Sequence, residues 1–124
     1  MRRVVVTGIG AVTPLGGDIS SSWKNLIEGK SGATLISKFD IEDFQAKVAC
    51  EVPIDQENHK INDRFNPNDW FSDKDLRKID DFIIFGVAAA EMAILDSGIN
   101  NCSLNKNNIG VGVGSGVGGL PSIE

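Results

Sequence analysis

The stretch from Ser72 to Gly98 constrains this chain most, because it has the pattern of one long, proline-free helix. Ser72 and Asp75 have the spacing of a capping box, in which a hydroxyl and a carboxylate satisfy the first unpaired N–H groups. Gly98 suits the left-handed conformation that ends many helices. Every residue from Phe82 to Ala90 is apolar or glycine, so this part is expected to be buried on all sides. The pattern predicts a single helix from Ser72 to Gly98.

The first turns of this predicted helix have one apolar face and one cationic face. A step of about 100° per residue places six apolar side chains on one side: Leu76, Ile79, Ile83, Val87, Ala90 and Ile94. Lys74, Arg77 and Lys78 gather on the other side, where the helix dipole disfavours each cation by about 0.3–1 kcal/mol. Arg77 has the i,i+4 spacing to pair with Asp73 and Asp81. Two interpretations stay open, namely a solvated charged face and a docking point for an acidic partner.

The composition is that of one ordinary globular domain, with 124 residues, 41% of them hydrophobic and 23% charged. The net charge of −5 argues against general nucleic-acid binding. The apolar run from Phe82 to Ala90 is far too short to cross a bilayer, and no signal peptide is recognised. With two cysteines, Cys50 and Cys102, the chain is expected to be cytoplasmic with reduced thiols.

Several motifs resemble nucleotide or metal sites without completing them. Gly8 and Gly10 begin a dinucleotide fingerprint, but its sixth position is Thr13 and the acid required about 20 residues later is missing. Gly29-Lys30-Ser31 resembles the end of a phosphate-binding loop, but lysine stands where the earlier glycine is required. The single histidine, His59, has no second ligand at metal spacing and is interpreted as a solvated loop residue. No nucleotide or metal site is predicted.

Three apolar stretches rich in β-branched residues are predicted to be strands, at residues 3–9, 47–52 and 109–113. The segment 33–44 is expected to be irregular, with short apolar anchors. Because strands buried on both faces need helices on both sides, the expected fold is α/β with a mixed sheet flanked by helices. Only part of that cover is encoded here, so the isolated chain is expected to be marginally stable or partner-dependent.

A short amphipathic helix is predicted from Asp18 to Glu28, capped by Asp18 or Ser20 and ended by Gly29. Its apolar stripe consists of Trp23, Leu26 and Ile27. Aromatic residues in the segment 65–71 are expected to hold the entrance of the long helix against the core. Pro121 is expected to begin a further helix as the chain ends.

The segment from Gly110 to Leu120 contains six glycines in eleven residues, which is costly in backbone entropy. Close backbone approach or positive φ angles are therefore expected in this segment. Two interpretations stay open, namely a tight exit from the third strand and a loop lining a pocket where a ligand chain passes the backbone. No lysine or threonine follows at the spacing of a phosphate-binding loop.

In their order along the chain, several motifs resemble the amino-terminus of the β-ketoacyl-acyl-carrier-protein synthases, thiolase-fold condensing enzymes of fatty-acid synthesis. The motifs are Arg3-Val4-Val5-Val6-Thr7-Gly8-Ile9-Gly10, Thr13-Pro14-Leu15-Gly16, Trp23, Gly29 with Ser31-Gly32, Arg77-Lys78-Ile79-Asp80-x-Phe82, Asp96-Ser97-Gly98 and Gly114-Ser115-Gly116-Val117-Gly118-Gly119-Leu120. Thr13-Pro14-Leu15-Gly16 favours type II of the family. The resemblance covers the whole chain. It implies a thiolase-like α/β fold of which residues 1–124 are an incomplete N-terminal half, truncated before the nucleophile.

The family's reaction is a decarboxylative Claisen condensation of malonyl-carrier protein with an acyl thioester. It uses a cysteine at a helix N-terminus and two histidines that stabilise developing charge. By this resemblance Cys50, Cys102 and His59 match no catalytic position, so no catalytic residue is predicted and the chain is expected to be inactive alone. No cofactor is expected either, because the phosphopantetheine is carried by the partner, acyl-carrier protein.

Two functional features transfer by position from the family to this chain. Lys74, Arg77 and Lys78 match positions that contact the acidic carrier protein. Val117 matches the floor of the acyl pocket near the dimer interface, where Gly116 and Gly118 would allow close approach of the acyl chain or the facing subunit. The complete enzyme is expected to be a homodimer, with a second chain possible as the source of the missing C-terminal part. The alternatives are a non-catalytic module that binds acyl-carrier protein and a degenerate remnant.

Overall fold

The computed structural model describes residues 1–55 and 63–119 of the chain. Its helices and strands follow in the order α1 (Ile19–Ile27), β1 (Ala33–Leu35), β2 (Val48–Cys50), α2 (Asp73–Leu76) and α3 (Asp81–Ser97). Short 3-10 turns lie at Pro67–Asp69, Ile99–Asn101 and Lys106–Asn108. The predictions for His59 and for a helix starting at Pro121 lie outside the described residues. No described helix has both the length and the apolar character needed to cross a membrane.

The strands β1 and β2 form a two-stranded antiparallel sheet, in which Ala33 pairs with Cys50 and Leu35 pairs with Val48. The strand predicted at 47–52 is therefore confirmed over its central three residues. The expectation that residues 33–44 are wholly irregular is wrong, because β1 begins this segment. Three residues are too few to show the alternating pattern of a strand. Whether they form one depends on pairing with β2, which is distant in the sequence.

The strands predicted at 3–9 and 109–113 do not form in the part of the chain that the structure describes. Val4 is 91% exposed and Val111 is 90% exposed, so these segments are also not buried. β-Branched side chains favour an extended backbone, but a strand also needs a neighbour that completes its hydrogen bonds. Among the described residues the only named sheet is the pair β1 and β2. The predicted three-stranded mixed sheet is thus corrected to this hairpin-like pair.

The helix α1 begins and ends as predicted. Asp18 is its N-cap, and the Ser21 backbone N–H donates to Asp18 Oδ1 at 2.7 Å within a capping box. Gly29, just beyond the C-cap, has a φ of 70°, a conformation that glycine adopts without steric penalty. These local signals are readable from sequence because each depends on residues within one turn.

The face that α1 buries is polar, in contrast to the expected apolar stripe. Trp23, Leu26 and Ile27 are exposed, whereas the buried residues of the helix are Ser21, Ser22 and Asn25. The Asn25 amide donates to the backbone carbonyl of Leu15 at 2.6 Å, and the Ser22 hydroxyl donates to that of Gly16 at 3.2 Å. The buried face of α1 therefore satisfies the carbonyls of the preceding turn, while its apolar face lies on the surface.

The single helix predicted from Ser72 to Gly98 is in fact two helices, α2 and α3. Both predicted ends are confirmed, since the Ser72 hydroxyl accepts from the Asp75 N–H at 3.3 Å and Gly98 has a φ of 64°. The break occurs at Asp80, whose backbone is extended, with φ −76° and ψ 155°. Asp80 is the N-cap of α3 and Asp81 lies in its first turn, where aspartate is favoured. The apolar pattern therefore contains the start of a second helix.

The core lies where α3 meets the chain segment that precedes α2. Phe65, Ile84 and Ala88 are its buried apolar residues, at 1%, 6% and 0% exposure. The ring of Phe65 meets that of Phe85 edge-on, with centroids 5.4 Å apart. Further apolar residues packed against this core are Val12, Val52, Trp70, Phe71, Leu76, Ile79 and Met92. The predicted role of the aromatic segment 65–71 in holding the helix entrance is confirmed.

The buried line of α3 differs from the predicted one. Ile84 and Ala88 are buried, whereas Ile83, Val87 and Ile94 of the predicted stripe are 36–41% exposed. The two lines are one residue apart, which corresponds to about 100° around the helix. Because α3 is apolar on all sides from Phe82 to Ala90, its periodicity does not determine which side meets the core.

Candidate functional site

The glycine-rich segment returns to the start of α3 and makes close contact there. A Cβ atom on Gly118 would lie 2.8 Å from Phe82 Cδ2, and one on Gly119 would lie 2.7 Å from Asp80 Oδ2. Gly119 also has a φ of 75°. Side chains larger than hydrogen would not fit at either position without a shift. The expected close approach is thus observed at Gly118 and Gly119, while Gly116 has open space around its Cα.

A cleft of about 430 Å³ lies between this loop and the entrance of α3. We call it the loop cleft. Its lining consists of Ile79, Asp80, Asp81, Phe82, Val117, Gly118 and Gly119. It therefore contains Val117 and Gly118 of the three predicted acyl-pocket residues, with Gly116 directly before them in the chain. Val117 is 80% exposed, so its side chain is available to a ligand.

A second cleft of about 380 Å³, which we call the helix cleft, is also lined by Phe82. Its lining is almost entirely apolar: Phe82, Ile83, Gly86, Val87, Ala90, Val113, Gly114 and Ser115. Phe82 is the residue that lines both clefts. Volumes of this size suit an alkyl chain or another small apolar ligand.

The three predicted carrier-binding cations form one exposed basic turn, defined here as Lys74, Arg77 and Lys78. Lys74 lies in α2, Arg77 is its C-cap, and the Lys78 N–H donates to the Asp75 carbonyl at 2.9 Å. In the structure's described residues, none of the three cations forms an ion pair. The basic turn is therefore a group of exposed cations without an ion pair among the described residues, although aspartates stand on both sides of it in the sequence.

The i,i+4 pairs that Arg77 could form with Asp73 and Asp81 are absent among the described residues. The helix ends at Arg77 and restarts after Asp80, so the helical spacing that would bring Arg77 to Asp81 is lost. Asp81 instead accepts from Lys38 Nζ at 2.7 Å, which ties the loop after β1 to the start of α3.

Three residues connect the basic turn to the loop cleft. Ile79 follows Lys78 directly and lines the loop cleft, as do Asp80 and Asp81. The structure thus joins the two predicted functional regions, which are about 40 residues apart in sequence. Phe82 and Ile79 are not among the predicted site residues, although both belong to the family-like motif Arg77-Lys78-Ile79-Asp80-x-Phe82.

The two cysteines lie apart from this region. Cys50 ends β2 and Cys102 follows a 3-10 turn, and both are free and exposed. The Cys102 thiol donates a long contact of 3.7 Å to the Gly98 carbonyl. Over residues 1–55 and 63–119, no three His, Cys, Asp or Glu side chains come together in a way that would hold a metal ion.

Residues 1–123 match the profile of the beta-ketoacyl synthase N-terminal domain family. The chain belongs to this family. It is 41% identical to "3-oxoacyl-[acyl-carrier-protein] synthase 2" of Rhizobium meliloti (strain 1021), over 99% of this chain and 29% of that protein. The protein of the same name from Vibrio harveyi is 42% identical over 99% of this chain and 27% of its own length. The chain thus spans less than a third of the curated relatives it matches.

The solved structure "The ishigamide ketosynthase/chain length factor" matches with a TM-score of 0.62 and 34% identity. The match covers 88% of this chain and 23% of that one. The expected fold class, the thiolase-like α/β fold of the ketosynthases, is thereby confirmed. The resemblance on which the functional residues were assigned is also confirmed over the whole chain.

Proposed function

We propose that this chain is the N-terminal part of a β-ketoacyl-acyl-carrier-protein synthase of fatty-acid synthesis. In this role it supplies the docking surface for the carrier protein and one wall of the acyl pocket. The observation that carries the proposal is the junction from Ile79 to Asp81, which places the basic turn next to the loop cleft. A carrier docked on the basic turn would deliver its acyl chain a short distance from Val117.

The basic turn fits an acidic partner. The three cations of the basic turn are exposed and form no ion pair among the described residues. Carboxylates of a partner can therefore pair with them without breaking an existing ion pair. Exposed pairs contribute only about 0–1 kcal/mol each, so this surface steers and orients the partner more than it holds it. The carrier also brings the phosphopantetheine thioester, which is why the chain needs no cofactor of its own.

The loop cleft fits the apolar part of the substrate. Ile79, Phe82 and Val117 provide apolar surface, and Gly118 and Gly119 provide bare backbone. Each methylene that leaves water for such a surface contributes about 0.8 kcal/mol. Two aspartates, Asp80 and Asp81, also line this cleft and make it polar on one side.

The reactive thiol is proposed to lie outside this chain. A nucleophilic cysteine needs an environment that stabilises its thiolate, such as a helix N-terminus or a neighbouring cation. Cys50 lies on a strand and Cys102 beyond a 3-10 turn, which supports a nucleophile other than these two cysteines. The complete enzyme would be a cytoplasmic homodimer, or a pair of chains, in which the remaining part supplies the cysteine and two histidines.

Titration with acyl-carrier protein tests the docking surface. The chain should bind weakly, with an affinity that falls as salt rises. The double variant Lys74→Glu with Arg77→Glu should lower the affinity by about tenfold, because two exposed pairs become repulsive. Lys24→Glu, a single charge reversal on α1, should have little effect. Binding that is insensitive to salt, or an equal loss in the Lys24 variant, would contradict the proposed surface.

An activity assay tests the assignment of the thiol. The chain mixed with acyl-carrier and malonyl-carrier protein should yield no β-ketoacyl product. Product formed by the chain alone, and abolished by Cys50→Ser or Cys102→Ser, would show that the nucleophile is present after all.

A further inference from the structure

Phe82 borders the loop cleft and the helix cleft. It is the second residue of α3, it lines both clefts, and it is 41% exposed. Among the described residues, it is the one that the two linings share.

The ring of Phe82 is held against the glycine loop. A Cβ on Gly118 would lie 2.8 Å from Cδ2 and 2.9 Å from Cε2 of this ring, and a Cβ on Gly119 would lie 3.2 Å from Cε1. The aromatic edge thus packs on bare backbone, at a distance that only glycine permits. Because the loop occupies one side of the ring, rotation toward that side is blocked.

The helix cleft is suited to an alkyl chain. Ile83, Val87, Ala90 and Val113 line it with apolar side chains. Gly86 lies in the middle of the same lining, and a Cβ there would meet nothing within 4 Å. A glycine inside a helix normally costs stability relative to alanine, and at this position it leaves space that no neighbouring atom fills.

We propose that Phe82 is a specificity-determining residue that limits acyl-chain length by closing the loop cleft off from the helix cleft. The inference rests on the proposed function, in which the acyl chain enters the loop cleft beside Val117. An acyl chain would bury its methylenes against Val117 and Gly118 until its end reaches the ring of Phe82. Further carbons would then stay in water unless the ring is removed.

The proposal predicts that affinity rises with acyl-chain length only up to a certain length. Each methylene that is buried raises affinity by roughly fourfold, whereas a methylene left in water adds nothing. For the natural chain, affinity should rise with length and then reach a plateau. In Phe82→Ala the plateau should begin at chains at least two carbons longer. The longest ligands should therefore bind Phe82→Ala more than tenfold more tightly than they bind the natural chain.

The experiment uses the full chain with labelled methyl groups, titrated with saturated fatty acids of six to fourteen carbons below their micelle concentrations. In the natural chain, shifts should be confined to the Val117 methyls at every length. In Phe82→Ala, the longer acids should also shift the methyls of Val87 and Val113, across the helix cleft. Phe44→Ala, which removes an exposed ring from the pair that Phe44 forms with Phe39, is the matched control and should keep the natural plateau.

A second variant closes the opened space again. Gly86→Leu, added to Phe82→Ala, places an isobutyl group in the helix cleft without a clash at its Cβ, and should restore the short plateau. Phe82→Leu keeps an apolar contact with the loop and should extend the plateau by fewer carbons than alanine does. A purely structural role of Phe82 predicts neither the restoration nor this order.

The outcomes separate the two proposals. If acids shift Val117 but the plateau is the same in the natural chain, Phe82→Ala and Phe82→Leu, the role of Phe82 is disproved while the acyl pocket stands. If no acid shifts Val117 in any variant, the proposed acyl pocket fails, and the inference fails with it.

Discussion

The backbone N–H of Ile9 donates a 2.9 Å hydrogen bond to Oδ2 of Asp96, which joins the amino-terminal segment to the last turn of α3 across 87 positions. The glycines on either side of Ile9 lie against the same helix. A Cβ on Gly8 would lie 2.6 Å from the Ser97 nitrogen, and one on Gly10 would lie 2.6 Å from the Ala93 nitrogen. The segment predicted as a strand is thus held by helix contacts, without a strand neighbour among the described residues.

Replacement of Asp96 tests the hydrogen bond directly. Asp96→Ala should speed hydrogen exchange of the Ile9 amide and lower the free energy of unfolding by no more than about 1 kcal/mol, because the bond is exposed. Asp96→Asn keeps an acceptor oxygen and should exchange more slowly than the alanine variant. Equal exchange of Ile9 in the natural chain and Asp96→Ala would contradict this contact.

Two glycine-to-alanine changes should have opposite effects. Gly10→Ala places a Cβ 2.6 Å from the Ala93 nitrogen and 2.7 Å from Met92 Cβ, so the segment must move off α3, at a cost of about 1–3 kcal/mol. Gly86→Ala meets nothing within 4 Å and improves helix propensity, so it should be neutral or stabilising by up to about 1 kcal/mol. Urea unfolding of both variants gives the comparison, and a destabilised Gly86→Ala would contradict the open space at that site.

The helix ends were predictable from sequence because each depends on a few adjacent residues. Ser72 caps through a residue three positions away, and Gly98 ends α3 through its own φ angle. The break at Asp80 was hidden because the apolar pattern continues across it. The segment 109–113 has the composition of a strand, but a strand also needs a neighbouring strand to pair with. The residue pattern of one segment does not show whether such a neighbour is present.

The candidate site was found in part. Lys74, Arg77, Lys78 and Val117 came from resemblance to a family, and the structure shows that the basic turn and the glycine loop are neighbours. Phe82 is not predicted as a site residue, because an aromatic residue in an apolar run has the pattern of a core residue. Its role as a shared lining residue depends on the return of the glycine loop to α3, which is a long-range contact.

The pKa of Glu51 should depend on Ser37. The Ser37 hydroxyl donates to Glu51 Oε2 at 2.7 Å and its N–H donates to Oε1 at 3.3 Å, and these bonds hold the pKa of Glu51 below its ordinary value. Ser37→Ala should raise this pKa toward that value, whereas Ser37→Thr, which keeps the hydroxyl, should not. Carbon-detected titration of the Glu51 carboxyl measures the shift.

The same pair has a defined effect on stability. Because the pKa of Glu51 is lower in the folded state than in the unfolded state, the contribution is present above the unfolded value and is lost as pH falls through the folded value. Ser37→Ala should therefore be less stable than the natural chain at neutral pH, and the difference should shrink in acid. A difference that grows on acidification would contradict this linkage.

The capping box of α1 should behave as a coupled unit. Asp18 Oδ1 accepts from the Ser21 N–H at 2.7 Å and from the Ser21 hydroxyl at 2.8 Å, while the Asp18 N–H donates to the Ser21 hydroxyl at 3.4 Å. Asp18→Ala should cost about 1 kcal/mol and Asp18→Asn much less, since asparagine also accepts at an N-cap. The costs of Asp18→Ala and Ser21→Ala should sum to more than that of the double variant, by at least about 0.5 kcal/mol, because both changes remove the same bonds. Urea unfolding of the natural chain, the two single variants and the double variant gives the four free energies of unfolding that are needed. Strictly additive costs would mean that the two side chains act independently.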